Sequence, residues 1–376
     1  MKTPGKKILM AMSGGIDSSV AANILKNQGH NVIGIFLKFW HENNPAYPAA
    51  ENKCCSEQSF LDAKSVCQKI GIPLYSLNYE KNFKQEIVDY FLKSYEAGET
   101  PNPCIICNKK IKLGLLIKYA RELGFDLVAT GHYAKTSLAI NKKQKTEHAH
   151  QTIKLLTTKD KKKDQSYFLY ALNQNELPHL MFPLANYIKE EVRQLAKKWQ
   201  LPVIEKKESQ EVCFISDATK NFLKRNLKLK TGFIKTTDGK IIGEHGGLPL
   251  YTIGQRQGIN INNGPYYVIK KDLAKNELIV TDDKNDAKLL NKTAVIKNVN
   301  WISGIKPLLP LKCFGRHRYR AKLERVVVTK QNTGEYLVTF KNPVRALTPG
   351  QSIVFYQPLR KFFNKDYEIL GGGVMC

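Results

Sequence analysis

Two groups of residues in this chain have types and spacings that could do chemistry: a glycine–serine turn near the N-terminus and a set of cysteines well downstream. The turn, Ser13-Gly14-Gly15-Ile16-Asp17-Ser18, follows directly on the apolar run Ile8-Leu9-Met10-Ala11-Met12. Paired glycines between a buried strand and a helix let the backbone turn tightly and come close to an anion. The helix that follows is expected to begin near Asp17, and its first amide groups then aim unpaired N–H bonds back at the turn. Serine hydroxyls on both sides add donors. The product is a cradle for a pyrophosphate. No Gly-Lys-Thr or Gly-Lys-Ser ending follows, so it is not a Walker loop. The bland alternative is an ordinary strand–helix turn.

Cys104 and Cys107 lie in Thr100-Pro101-Asn102-Pro103-Cys104-Ile105-Ile106-Cys107-Asn108-Lys109-Lys110. The two prolines end the preceding structure, and a helix is expected to start at about Cys104 or Cys107. A thiol in a first helical turn feels the helix's partial positive charge, and Lys109 and Lys110 add to it. A lowered pKa and a larger thiolate fraction are therefore expected. Cys213 stands alone in Glu208-Ser209-Gln210-Glu211-Val212-Cys213-Phe214-Ile215, with Lys206 and Lys207 upstream. Structural zinc is the bland alternative for the pair. Zinc wants four ligands, the chain has no second Cys-x-x-Cys, and only the adjacent Cys54 and Cys55 could complete such a site. Cys67 falls on an apolar helix face and Cys313 opens a β-run, so both read as packing or surface residues; Cys376 is terminal and reads as inert.

These groups need elements to hold them. Apolar runs at Ile8–Met12, Asn31–Leu37, Pro73–Leu77 and Asp126–Ala129 alternate with helical patterns at Ser18–Asn27, Phe60–Ile70, Phe83–Tyr95 and Lys109–Leu123. Four strands separated by helices predict an α/β domain with a doubly wound parallel sheet, whose ligand lies at the strands' C-terminal edge. The glycine turn sits at that edge, and so does Thr130-Gly131-His132 after the fourth strand. Residues 141–163, with Asn141-Lys142-Lys143 and Lys161-Lys162-Lys163, read as a solvated hairpin or insertion facing RNA. Helical spacing returns at Lys189–Trp199. After about Asp217 turn signals separate short β-rich runs, among them Thr293–Val299, Arg320–Val328, Glu335–Phe340 and Ser352–Tyr356. They predict a small β-rich middle domain and a C-terminal β-barrel. The domain expectation is 1–216, 217–287 and 288–376.

Composition bounds the function classes. Lys and Arg outnumber Asp and Glu by 59 to 33, a formal +26, in a chain of 376 residues. Such an imbalance repels itself in a compact state and favours a large polyanion as partner, DNA or RNA. An AT-rich genome would account for part of the lysine. The basic N-terminus is followed by an apolar run too short for a signal peptide, and no stretch approaches the ~20 apolar residues of a membrane span. A cytoplasmic protein with reduced, catalytic or metal-binding cysteines is expected.

The spelling of the glycine turn resembles the PP-loop of enzymes that split ATP between its α and β phosphates. Taken with Thr100–Asn108, Gly131-His132-Tyr133, Glu208–Ile215, Lys163-Asp164-Gln165-Ser166-Tyr167-Phe168, Tyr251-Thr252-Ile253-Gly254-Gln255-Arg256, Arg318-Tyr319-Arg320, Gly350-Gln351 and Gly371-Gly372-Gly373, the chain closely resembles the bacterial tRNA-specific 2-thiouridylases, the MnmA family. The likeness runs through the whole chain in one order and implies a HUP-like N-terminal domain. It implies adenylylation of O2 of a wobble uridine by ATP, with Mg²⁺, followed by attack of a persulfide on C2. It places the persulfide on Cys213, with Cys107 either attacking it to free the sulfur or closing a disulfide with it. Ala11, Met12, Ser13, Gly14, Gly15, Ile16, Asp17 and Ser18 would hold ATP, with Leu37 against the adenine and Gly131 near the nucleotide. Asn102, Pro103 and Cys104 would frame a base taken out of the anticodon stack. His132, Lys163, Asp164, Gln165, Arg318, Tyr319 and Gln351 match tRNA-contacting positions, and an arginine beside an aromatic suits splayed nucleotides. The implied partners are a tRNA with a wobble uridine, of the lysine, glutamate or glutamine type, and a persulfide donor. A monomer without a membrane is expected. Cys213 reaches the turn only if a mobile segment carries it, for which the charged run Ile204–Glu211 is the candidate.

One position departs from the family pattern: many members have Asp where this chain has Cys104. Cys104, Cys107 and Cys213 could then hold a 4Fe–4S cluster with one open iron, an alternative to the persulfide relay. Two further classes remain: a PP-loop amide or imine synthetase, which needs no cysteine pair and no basic barrel, and a non-catalytic tRNA-binding protein.

Overall fold

The apolar run after the basic N-terminus becomes β1 (Lys7–Met12), in which Ile8, Leu9 and Met10 are wholly buried. A strand covered on both faces reads as continuous apolar sequence, which is why it is legible. In this computed structural model the described residues are 5–42, 56–139, 152–206, 212–215, 217–259, 261–262, 264–359 and 366–376. Cys54, Cys55, Asn141–Lys143 and residues 207–211 of the expected mobile segment lie outside them.

Helix α1 (Ile16–Asn27) follows β1 and packs Val20, Ala21, Ala22 and Leu25 into the core. β2 (Asn31–Lys38), α2 (Glu57–Ile70) and β3 (Leu74–Asn78) come next; Ser56 caps α2 by accepting the Ser59 N–H, and Gly71 ends it at φ 69°. A bent helix over 80–96 and a second over 103–122 lead to β4 (Leu127–Ala129). The second starts at Pro103, earlier than expected. Proline suits a first helical position, where its missing N–H costs nothing. Both helices widen to π geometry in the middle, at Lys84–Val88 and Cys107–Leu115.

After β4 the chain forms a hairpin, β5 (Lys135–Ala139) and β6 (Thr152–Leu156), and then β7 (Leu180–Met181). The parallel sheet has the order β3-β2-β1-β4-β7, five strands rather than the expected four. β7 is two residues long and carries no periodicity to read. The helix Lys189–Lys198 packs against α1. Of the two readings of 141–163, a solvated hairpin or an insertion, the structure forms a hairpin, and what it corrects is the solvation. β6 pairs with the C-terminal strand, Leu156 opposite Glu368 and Leu155 opposite Ile369, and both leucines are buried.

The middle unit holds a helix, Thr219–Asn226, and β8 (Gly232–Thr236), β9 (Ile241–His245), β10 (Tyr267–Asp272) and β11 (Glu277–Thr281), ordered β10-β11-β8-β9. The last six strands are β12 (Leu290–Trp301), β13 (Leu311–Arg316), β14 (Glu324–Lys330), β15 (Tyr336–Arg345), β16 (Ser352–Pro358) and β17 (Tyr367–Met375). They close a barrel in the order β12-β15-β14-β13-β16-β17, with β12 and β17 pairing at Ile296–Met375 and Trp301–Gly371. A Cβ on Gly371, at φ 151°, would collide with the Asn300 carbonyl, so the closing strand needs glycine there. The expected strand over 320–328 starts only at Glu324, because Arg320 turns the chain at φ 65°.

Phe340 is wholly buried in the barrel with Val326, Val328, Val338 and Phe355. Truncating such a ring leaves a cavity costing ~3–5 kcal/mol. Phe340→Ala should lower the barrel's urea midpoint accordingly, followed by the fluorescence of Trp301, which stacks on Phe355 at 5.5 Å.

Candidate active site

The strand order reverses between β1 and β4, so a crevice opens beyond their C-terminal ends, where ligands of doubly wound sheets bind. A cleft with about 830 Å³ of open space lies there. Of the residues expected to hold a nucleotide, Ala11, Met12, Ser13, Asp17, Ser18, Leu37 and Gly131 line it. Gly14 and Gly15 form the turn itself, and Ile16 points into the core at 6% exposure. Thr130, expected at the same sheet edge, lines it too, and so do Ile35, Phe39 and Lys112, which were missed. Ile35 and Phe39 could have been found from the alternation of β2; Lys112 gave no local signal.

The two glycines of the turn differ. Gly14 has φ 67° and a Cβ there would run into the Ser59 carbonyl, so the fold requires it. A Cβ on Gly15 would meet only Ser13 Oγ at 3.5 Å, ordinary contact. Gly15 precedes α1, whose end no side chain caps, so its first N–H groups face the cleft. Gly131 brings the β4 loop against this turn; its Cβ would lie 2.7 Å from Ser18 N. Ser18 Oγ accepts from Ser13 N at 3.2 Å and donates to Gly15 O at 3.1 Å, which rigidifies the turn. Asp17 is held by Tyr133 OH at 3.0 Å and by the buried Lys189 ammonium at 2.7 Å.

The thiols differ from expectation. Burial pushes Cys104 up to about 11, with the nearby Cys213 adding to it and Lys112 opposing. Cys107, 4% exposed, is raised further by burial, opposed by Lys112 and reinforced by Cys213 and Cys104. The expected lowering fails because desolvation outweighs a helix end. Lys109 and Lys110, expected to assist, pair with Glu176 and Glu86 instead. Cys213 is nevertheless near enough to both others to act on them electrostatically, and Phe214 beside it packs on Phe83, Phe91 and Phe222 at 5.3–5.8 Å. All six described cysteines carry free thiols. Cys67 and Cys313 are buried, and Cys376 is exposed.

Asn102 is half-buried and Pro103 buried, directly before Cys104. The chain leading to them is pinned from two other domains. Thr100 N donates to Pro349 O at 2.8 Å, Gln351 Nε2 donates to Thr100 O at 2.7 Å, and Thr100 Oγ1 meets Thr252 Oγ1 at 3.1 Å. Gln351 is thus engaged with the protein's own loop.

The other expected RNA contacts scatter. His132 and Gln165 line the nucleotide cleft. Burial pushes His132 down to about 3, with Lys112 contributing, and its Nδ1 sits 2.8 Å from Thr130 Oγ1. Gln165 Oε1 accepts from Tyr133 N at 2.9 Å. Asp164 is buried and accepts from Thr158 N and Ser166 Oγ, a turn-forming role. Lys163 borders a second hollow with Lys159, Lys162, Lys189 and Arg193. Arg318 is exposed, and Tyr319 packs on Phe168 at 4.5 Å with the Arg320 guanidinium over its ring at 5.3 Å.

Among the described residues no group of three His, Cys, Asp or Glu side chains is placed to hold a metal ion. The uncapped helix end, the glycine turn and Lys112 do fit a polyphosphate. Asp17 is the carboxylate that the cleft offers a bound Mg²⁺. No helix among the described residues is long and apolar enough to cross a membrane.

A doubly wound sheet with a glycine turn at its switch point, joined to a basic barrel, defines a nucleotide-binding class with a second, polyanion-facing part. Family models sharpen this. Residues 6–217 match the tRNA methyl transferase HUP domain, 220–282 the tRNA methyl transferase PRC-barrel domain, and 291–375 the aminomethyltransferase beta-barrel domain. A tRNA-specific 2-thiouridylase MnmA from Francisella tularensis is 39% identical over 98% of this chain and 99% of its own. One from Legionella pneumophila is 38% identical over 93% and 95%. The chain belongs to the MnmA family. A solved NMN synthetase from Francisella tularensis is similar over 55% of this chain and 67% of its own, at 17% identity and a TM-score of 0.31, too remote to carry an argument.

Two predictions follow from this geometry. Gly15→Ala should fold with an unchanged melting temperature yet lose at least tenfold in ATP affinity by calorimetry, whereas Gly14→Ala should melt measurably earlier. His132 is lowered in the folded state, so its contribution is complete above its unfolded value near 6.5 and is lost as pH falls toward about 3. Urea midpoints from pH 7 to 4 should fall more steeply for the wild type than for His132→Gln.

Proposed function

We propose that this protein makes 2-thiouridine at the wobble position of tRNA, of the lysine, glutamate and glutamine type, in the cytoplasm and as a monomer. One observation carries the reading: Lys112 lines the nucleotide cleft and also acts on Cys104 and Cys107, beside Cys213. Cys104 and Cys107 thus share a charged neighbour with the cleft, and Cys213, far away in sequence, lies within electrostatic reach of both.

The turn Ala11–Ser18 and Gly131 hold ATP, with Leu37 and the missed Ile35 and Phe39 forming the apolar wall. Mg²⁺, when bound, neutralises phosphate oxygens. O2 of the uridine attacks the α-phosphorus and pyrophosphate leaves. The terminal sulfur of a Cys213 persulfide, delivered by a donor, attacks C2 and AMP departs with the former O2. Cys107 thiolate attacks Cys213 Sγ, the S–S bond breaks toward the uridine, and a Cys107–Cys213 disulfide remains for an external thiol to reduce. The domains divide this labour: 1–216 activates and transfers, while 217–287 and 288–376 place the RNA. An amide or imine synthetase would leave the cysteine cluster without a use.

Mass spectrometry of wobble nucleosides, after incubating tRNA with ATP, Mg²⁺ and a persulfide source, tests it. Cys107→Ser and Cys213→Ser should abolish 2-thiouridine, while Cys104→Ser keeps at least a tenth of the wild-type rate. Thiolation surviving in Cys213→Ser would sink the relay, as would iron that copurifies with the wild type and is lost, along with activity, in Cys104→Ser.

A further inference from the structure

Cys107 and Lys112 are five residues apart on one helix. In an α-helix that spacing turns two side chains about 140° away from each other. The segment Cys107–Leu115 is instead π-helical, and at roughly 4.4 residues per turn five residues come back to within about 50°. Gly114 makes this geometry possible: a Cβ there would lie 2.5 Å from the Lys109 carbonyl, its partner five residues earlier. The widened turn therefore puts the Lys112 ammonium on the Cys107 side of the helix, and Lys112 is at the same time part of the wall of the cleft beside Ser13, Ser18 and Gly131. Lys109 and Lys110 are drawn off by Glu176 and Glu86, so neither substitutes for it.

We propose that Lys112 couples the two halves of the reaction: its charge serves the polyphosphate while the nucleotide is intact and returns to Cys107 once pyrophosphate has left. This rests on the nucleotide reading of the cleft. Cys107 is consequently held as an unreactive thiol during adenylylation and becomes a better nucleophile afterwards. While the nucleotide is intact, the ordering protects the Cys213 persulfide from being resolved before the uridine is activated. Lys112 is a positioning residue in this scheme, acting through Cys107 rather than on the base.

The probe is the rate of Cys107 alkylation by iodoacetamide at pH 8, read by peptide mass spectrometry, with and without Mg²⁺ and α,β-methylene-ATP. In the wild type the analogue should slow alkylation at least threefold. Lys112→Gln should already be slow without nucleotide, about tenfold below wild type, and should lose the analogue's effect. Lys112→Arg should restore both. Gly114→Ala, which keeps the charge but tightens the turn, should behave like Lys112→Gln while melting within a few degrees of wild type. Slowing of equal size in wild type and Lys112→Gln would mean that the analogue merely shields Cys107, and would overturn the proposal. Calorimetry separates the failures: no analogue binding to the wild type defeats the nucleotide reading, whereas binding without any dependence on Lys112 defeats only the coupling.

Discussion

Thr100 is where the three parts of the molecule are tied together, and the cysteine helix begins three residues later. Its amide bonds to Pro349 O, its carbonyl accepts from Gln351, and its hydroxyl meets Thr252. Beside it Glu99 pairs with Lys297 of the barrel at 3.2 Å, and Gly350 has no room for a Cβ against Glu99 and Thr100. Backbone hydrogen bonds to a closely approached loop leave little freedom in where Pro103 starts the helix. The position of Cys104 and Cys107 is consequently set by the barrel and the middle unit as much as by the domain that contains them.

That placement explains the electrostatics. A helix anchored between domains is buried, and burial disfavours a thiolate more strongly than a helix end or one lysine favours it. Both thiols are held protonated in this state. For a protein that keeps three free cysteines within electrostatic reach of one another, this is protective, because oxidation and exchange both begin from the thiolate. Such reactivity as Cys107 has then depends on its charged surroundings, and the group that acts on the thiols and also borders the cleft is Lys112.

Four of the five parallel strands were legible almost to the residue, since each falls in a short apolar run bounded by turn residues. The glycine turn and its place at the sheet edge were legible for the same reason. Other features were not, each for a physical cause. β7 is too short to show a period, and β6 is assigned to the barrel only by a partner strand more than two hundred residues away. The π turn leaves a single trace, Gly114 in mid-helix, which reads equally as a tolerated glycine. The direction of the thiol shifts was misread because sequence shows the nearby lysines but not that Glu176 and Glu86 take them, nor the depth of burial. Gln351 shows how one residue type serves two purposes: its amide is already committed within the protein.

The basic barrel is not separate from this chemistry. Tyr319, between Arg318 and Arg320 at a barrel turn, packs on Phe168 at 4.5 Å. The carbonyl of Phe168 accepts from Asn108 Nδ2 at 3.2 Å, and Asn108 adjoins Cys107. One aromatic contact and one hydrogen bond therefore separate the exposed arginine pair from the helix that bears the thiols. On the opposite side Phe214 fixes Cys213 through three packed rings. Under the proposed reaction a nucleotide clamped by Arg318 and Tyr319 presses on the same layer that orients Cys107, while Cys213 approaches from the aromatic cluster. In that reaction, recognition of the RNA and alignment of the sulfur chemistry use one set of contacts.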